Sequence, residues 1–114
     1  MIIRNFSIMF MDEKVADVHV DGIRNTRIQL YTDVRYKQPL CMQINNFLAV
    51  YEFLRSRCYE DGRTDLAEIL DQAGLKDNNP WEWVKISHGV TFDDYFWVRF
   101  PGENLNWKDV MVRE

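Results

Sequence analysis

The 114-residue chain is poor in the residues that most site chemistry needs. It has two cysteines, Cys41 and Cys58, which do not make a disulfide framework and fit a reducing compartment. Its five glycines are dispersed, each in a turn or cap context, so no glycine-rich loop cradles a phosphate. That excludes a kinase or nucleotide-binding domain standing on its own. Basic residues are outnumbered, 14 against 18, for a formal charge of −4. A field of that sign does not attract phosphates, and the local basic groups Arg24/Arg27 with Arg35/Lys37, and Arg55/Arg57/Arg63, are interleaved with acids. No apolar run is long enough to span a bilayer. The opening MIIRNFSIMFMDEK breaks its apolar run at Arg4 and Asn5, unlike a signal peptide. A cytoplasmic protein is the expectation.

Aromatic residues are plentiful: four Trp, five Tyr and seven Phe. With 46% apolar and 28% charged residues the composition is globular, and 114 residues predict a single domain over 1–114.

Alternation marks the first third as strands. Phe6, Ile8 and Phe10 share one face, with Ser7, Met9 and Met11 on the other. Asp12-Glu13-Lys14 suits a turn. Ala16, Val18 and Val20 then face inward while Asp17, His19 and Asp21 face outward, and Ile28 and Leu30 oppose Arg27, Gln29 and Tyr31. This predicts a three-stranded antiparallel meander with one apolar and one wet face, Arg27 lying opposite Asp17 or Asp21. Residues 32–44 carry no period, and Pro39 excludes a central strand there.

The middle is helical. Asn45 or Asn46 caps a helix to about Cys58, with Phe47, Val50, Tyr51, Leu54 and Cys58 as its stripe. A second helix starts at Thr64 or Asp65. Asp65 and Glu68 have capping-box spacing, Leu66, Ile69, Leu70 and Ala73 form a buried stripe, and Gly74 ends it. Asn79-Pro80 starts a third, which stops near His88-Gly89. Tyr95 to Phe100 alternates again as a fourth strand, and Trp107 anchors a short terminal turn or strand. The predicted class is α+β, a small antiparallel sheet packed against two or three helices.

Three arrangements with catalytic or metal-binding residue types each have a plainer reading. Nucleophilic catalysis needs a nucleophile beside a base, which here means Cys41 or His88, a pairing nothing else supports. Asp17, His19 and Asp21 on one strand face are ligand types for a transition metal, but no second cluster adds ligands, and a polar outer face is the commoner origin of this pattern. Asp93-Asp94 beside aromatics suggests a glycosidase pair, but neighbours on an extended chain point opposite ways, and a turn hydrogen bond explains Asp93. No catalytic residue, cofactor or metal ligand is assigned.

The remaining signal is HGVTFDDYFWVRFPGENLNW, with six aromatics in twenty positions. Phe92, Phe96, Val98 and Phe100 read as core. Tyr95, Trp97 and Arg99 either pack under a helix or loop or form an exposed contact face, and Tyr, Trp and Arg are the types that anchor protein interfaces. The candidate protein-binding set is Tyr95, Trp97, Arg99 and Asp93, with Asp17 and Asp21 on the strand face.

The stretch from Arg57 to Val110 resembles short proteins of unassigned function carried on mobile elements and prophages of Gram-positive gut bacteria. More distantly, Gly89, Val90, Thr91, Asp94, Phe96, Trp97, Val98 and Arg99, followed by Asn104, Trp107, Asp109 and Val110, resemble the segment preceding HipA-like kinase domains. Phe100 before Pro101 is a departure from that pattern. The resemblance carries no catalytic residues and implies a free-standing accessory module. It implies a protein-binding module of a phage or mobile element, an inhibitor of a host defence complex of the anti-CRISPR kind. The alternatives are an in-trans, antitoxin-like partner of a HipA-like kinase and a small hydrolase using Cys41 or His88.

Overall fold

The computed structural model describes residues 4–22, 24–40, 46–58, 64–91 and 94–111. Four strands, β1 (Arg4–Phe10), β2 (Glu13–Val20), β3 (Thr26–Leu30) and β4 (Phe96–Arg99), form one antiparallel sheet in the order β3-β2-β1-β4. The helices are α1 (Asn46–Arg55), α2 (Leu66–Ala73), α3 (Pro80–Ser87) and α4 (Trp107–Val110), with a 3₁₀ turn at Arg35–Lys37. The fold is α+β, and the meander is as its alternation predicts.

The turn falls one position earlier than expected, at Met11–Asp12, with Met11 at φ 53°. The register slips between Ile8/Ala16 and Met9/Lys14, leaving Val15 as the extra residue of a bulge. Val15 and Ala16 are therefore both buried, which strict alternation does not allow.

Phe6, Ile8, Val18, Val20 and Val98 of the sheet pack against Val50, Phe53 and Leu54 of α1 and Trp81 and Val84 of α3. Each such side chain contributes roughly 1.5–3 kcal/mol through burial. α1 is turned slightly from its predicted stripe. Ala49 and Phe53 reach the core, whereas Phe47 and Tyr51 lie partly buried against Trp81, at centroid distances of 6.3 and 6.5 Å. The capping residues of α3 act as predicted: Asn79 Oδ1 accepts from Trp81 N at 2.9 Å, Pro80 opens the helix, and left-handed His88 closes it.

Two expectations for α2 fail. Asp65 makes no capping hydrogen bond, and no residue of the helix is fully buried. Its termination is as expected, with Gly74 at φ 75° and Leu75 N donating to Leu70 O at 2.9 Å.

The opposite face of the sheet has a core of its own. Met9 and Trp97 point away from the main core and meet Val90, Trp107, Leu105, Val110 and Met111. The terminal segment is thus a helical turn rather than a strand. Asn106 caps it, and Asp109 returns a bond to Asn106 N at 2.9 Å. Asp12 Oδ1 accepts from Trp107 N at 2.8 Å and ties this turn to the β1–β2 hairpin. Helices therefore cover both faces, not one.

Candidate functional site

The proposed contact face does not stay together. Trp97 has 0% exposure, and its indole Nε1 donates to Met11 O at 2.7 Å. α4 covers that half of the outer face, which makes Trp97 core and removes it from any surface. Arg99 lies half-buried opposite Ser7, and Asp93 is outside the described residues, as are Cys41, Asn45 and Phe92.

Asp17 is already engaged: it accepts from Ser7 Oγ and Tyr31 Oη, both at 2.6 Å, and from Lys14 Nζ at 3.3 Å. Partial burial pushes its carboxyl up, but the hydrogen bonds from Ser7, Tyr31 and Lys14 outweigh this and hold it below the ordinary range. Arg27 faces His19 and not an acid, because the register sets Asp17 against Gln29. Asp21 sits at the other end of β2 with Asn25, and its Oδ1 is buried with no partner among the described residues.

Tyr95 is 41% exposed and belongs to a different surface. Its ring stands edge-on to Phe10 at 5.8 Å and to Trp107 at 5.9 Å, while Tyr36 meets the same Phe10 at 5.9 Å. Tyr36 is 70% exposed, Tyr31 is 51% exposed, and Met11 and Val34 are also exposed. These residues come from the β1–β2 turn, the connection after β3 and the entry to β4, all at one end of the sheet.

The rim is fixed in place. Lys37 Nζ lies 5.7 Å from the Phe10 ring and 5.8 Å from that of Tyr36, and pairs with Glu13 at 2.9 Å. That hydrogen bond raises the Lys37 pKa and keeps the ammonium charged. Lys14 lies 5.1 Å over the Tyr31 ring. Met11 N donates to Tyr95 O at 3.0 Å. Tyr31, Tyr36 and Met11 are not among the sequence candidates: Tyr31 reads only as an outward strand residue, and Tyr36 lies in the aperiodic connection, where its setting between Arg35 and Lys37 is the available signal.

His88 Nε2 donates to Glu103 Oε2 at 3.0 Å, while Glu103 Oε1 accepts from Phe100 N at 2.7 Å. Burial raises the Glu103 carboxyl, but the bonds from His88 and the Phe100 N–H prevail and lower it. This pair fastens the turn after β4 to the end of α3. Cys58 lies just beyond α1 with Sγ 3.2 Å from Leu54 O. Among the described residues no group of three His, Cys, Asp or Glu side chains converges to hold a metal ion, and no helix is long and apolar enough to cross a membrane.

Comparison with family models, curated proteins and solved structures returns no match. Several of the residues that carry the HipA-like resemblance have structural tasks here. Gly89 O and Asp94 hold Arg57, Trp97 and Trp107 fill the second core, and Asp109 closes the α4 cap.

Proposed function

We propose that the chain is a non-catalytic protein-binding module whose contact surface is the tyrosine rim of Tyr31, Tyr36 and Tyr95 with Met11. The observation that carries this reading is the exposure of these side chains while aromatic neighbours and lysines hold them still. Aromatic residues and Met are enriched at protein interfaces, and side chains already ordered lose little entropy on binding. The resemblance to mobile-element proteins makes a host defence complex the partner class, with this chain its stoichiometric inhibitor. A HipA-like kinase acting in trans is the second partner class.

Affinity capture from a host lysate, with the unaltered chain and a Tyr36→Ala/Tyr95→Ala variant side by side, tests the reading. The expected result is a partner retained by the first and lost by the second at equal fold stability. A partner retained equally by both would remove the rim from the account.

A further inference from the structure

The outer face of the sheet beyond α4 is open. Asn5, Ser7, Asp17, His19, Arg27 and Gln29 line a groove of about 800 Å³, walled on one side by the Phe100–Glu103 turn. Arg99 lines this groove and also a neighbouring one of about 420 Å³ that reaches Lys108. The two hollows therefore share Arg99, and Arg27, Arg99 and Lys108 follow one another across the face.

Charge in these grooves is unevenly satisfied. Each carboxylate is occupied within the fold: Asp17 by Ser7, Tyr31 and Lys14, Glu103 by His88 and the Phe100 N–H, and Asp12 by Trp107 N. Glu103 attracts Arg99 at longer range. None of the three cations has a hydrogen bond or ion pair among the described residues, and His19 gives its Nδ1 to Asn5. In a chain of net charge −4, three cations on one face thus stand without a side-chain partner among the described residues.

We infer that this face is a binding groove for an extended acidic segment of a protein partner, whose carboxylates are taken by Arg27, Arg99 and Lys108. The inference rests on the protein-binding reading above and specifies the partner's chemistry. Arg27 lies three strands from Arg99, and the register offsets them by two residues, since Arg27 aligns with Asn5 and Arg99 with Ser7. At about 4.8 Å per strand and 3.4 Å per residue their Cα atoms are about 16 Å apart, roughly the span of five extended residues. A peptide can place a carboxylate at each cation and a neutral residue over Asp17 or Glu103. A nucleic-acid strand carries a phosphate at every step, so it would set charge against those carboxylates and against the net charge of the chain.

The test is an NMR titration of the labelled full chain with an alternating glutamate–serine peptide of about nine residues, long enough at about 3.3 Å per residue to extend past both arginines. Its glutamine counterpart and an oligothymidine strand of equal length are the comparators. Saturable shifts at Arg27 and Arg99 with the glutamate peptide alone are expected. Arg27→Gln/Arg99→Gln should weaken binding at least about tenfold at unchanged Tm. The Tyr36→Ala/Tyr95→Ala variant should bind the peptide undiminished, since neither ring lines the groove. Equal shifts with the glutamine peptide, tighter binding of the oligonucleotide, or no saturable shift would each overturn the groove assignment. None of these would touch the rim, which the capture experiment tests on its own.

Discussion

Arg57 and Asp94 meet in a two-pronged ion pair across 37 positions of sequence. Arg57 Nη1 donates to Asp94 Oδ2 at 2.7 Å, Nη2 donates to Oδ1 and to Phe96 O, and Nε donates to Gly89 O at 2.8 Å. Arg57 is 9% exposed, and its guanidinium fixes the entry to β4 against the end of α1. Gly89 beside it takes φ 69°, a left-handed conformation that favours glycine, although an added Cβ would meet Arg57 Cγ only at an ordinary contact of 3.5 Å. Breaking such a pair leaves polar groups behind. Arg57→Met should cost about 3 kcal/mol, and Asp94→Asn, at the more exposed end, about 1–2 kcal/mol. Urea denaturation measures both; equal, negligible losses would contradict the assignment.

Trp97 should behave as core. Trp97→Ala should destabilise by about 3–5 kcal/mol, and Trp97→Phe by less, losing mainly the bond to Met11 O. If Trp97→Ala left stability within about 0.5 kcal/mol, the value typical of a surface site, the second core would be wrong.

What the sequence revealed, and what it hid, follows from the range of each interaction. Alternation reports strand faces locally, so Phe6, Ile8, Val18 and Ile28 were assigned the correct side. It also set Trp97 on the face opposite Val98. Whether that face is covered depended on α4, whose four residues are too few to show a period. The Asn106/Asp109 cap spacing was its one local mark. Arg57 reads as one more charge at a helix end, because its partner lies far along the chain. Tyr36 gave no pattern, since its exposure follows from packing on Phe10 outside any regular element. The stripe of α2 was legible, but a stripe does not say how deeply a helix is set.

Acid should loosen the fold through Asp17 and Glu103. Both carboxyls titrate lower in the folded chain than in the unfolded one. The unfolded state therefore binds more protons between the two values. Their contribution is complete above the ordinary carboxylate pKa of about 4 and is lost as pH falls through the folded values below it. Stability measured from pH 6 downward should decline, and Asp17→Asn with Glu103→Gln should flatten the decline. An unchanged slope in the double variant would contradict this.

The rim residues should tolerate change without loss of fold. Tyr36→Ala removes a mostly exposed ring and Tyr95→Ala a partly exposed one, so each should shift stability by no more than about 1 kcal/mol, Tyr95 more than Tyr36 because it also touches Trp107. Thermal unfolding checks this. A larger loss at Tyr36 would mean that the rim is structural.

The most direct test of action through the rim is oxidative footprinting of the chain alone and in complex with its captured partner. Met11, Tyr31, Tyr36 and Tyr95 should lose most of their labelling in the complex, while Ile86, exposed on α3, keeps its own. Labelling of the rim at the same rate in both states would contradict the account.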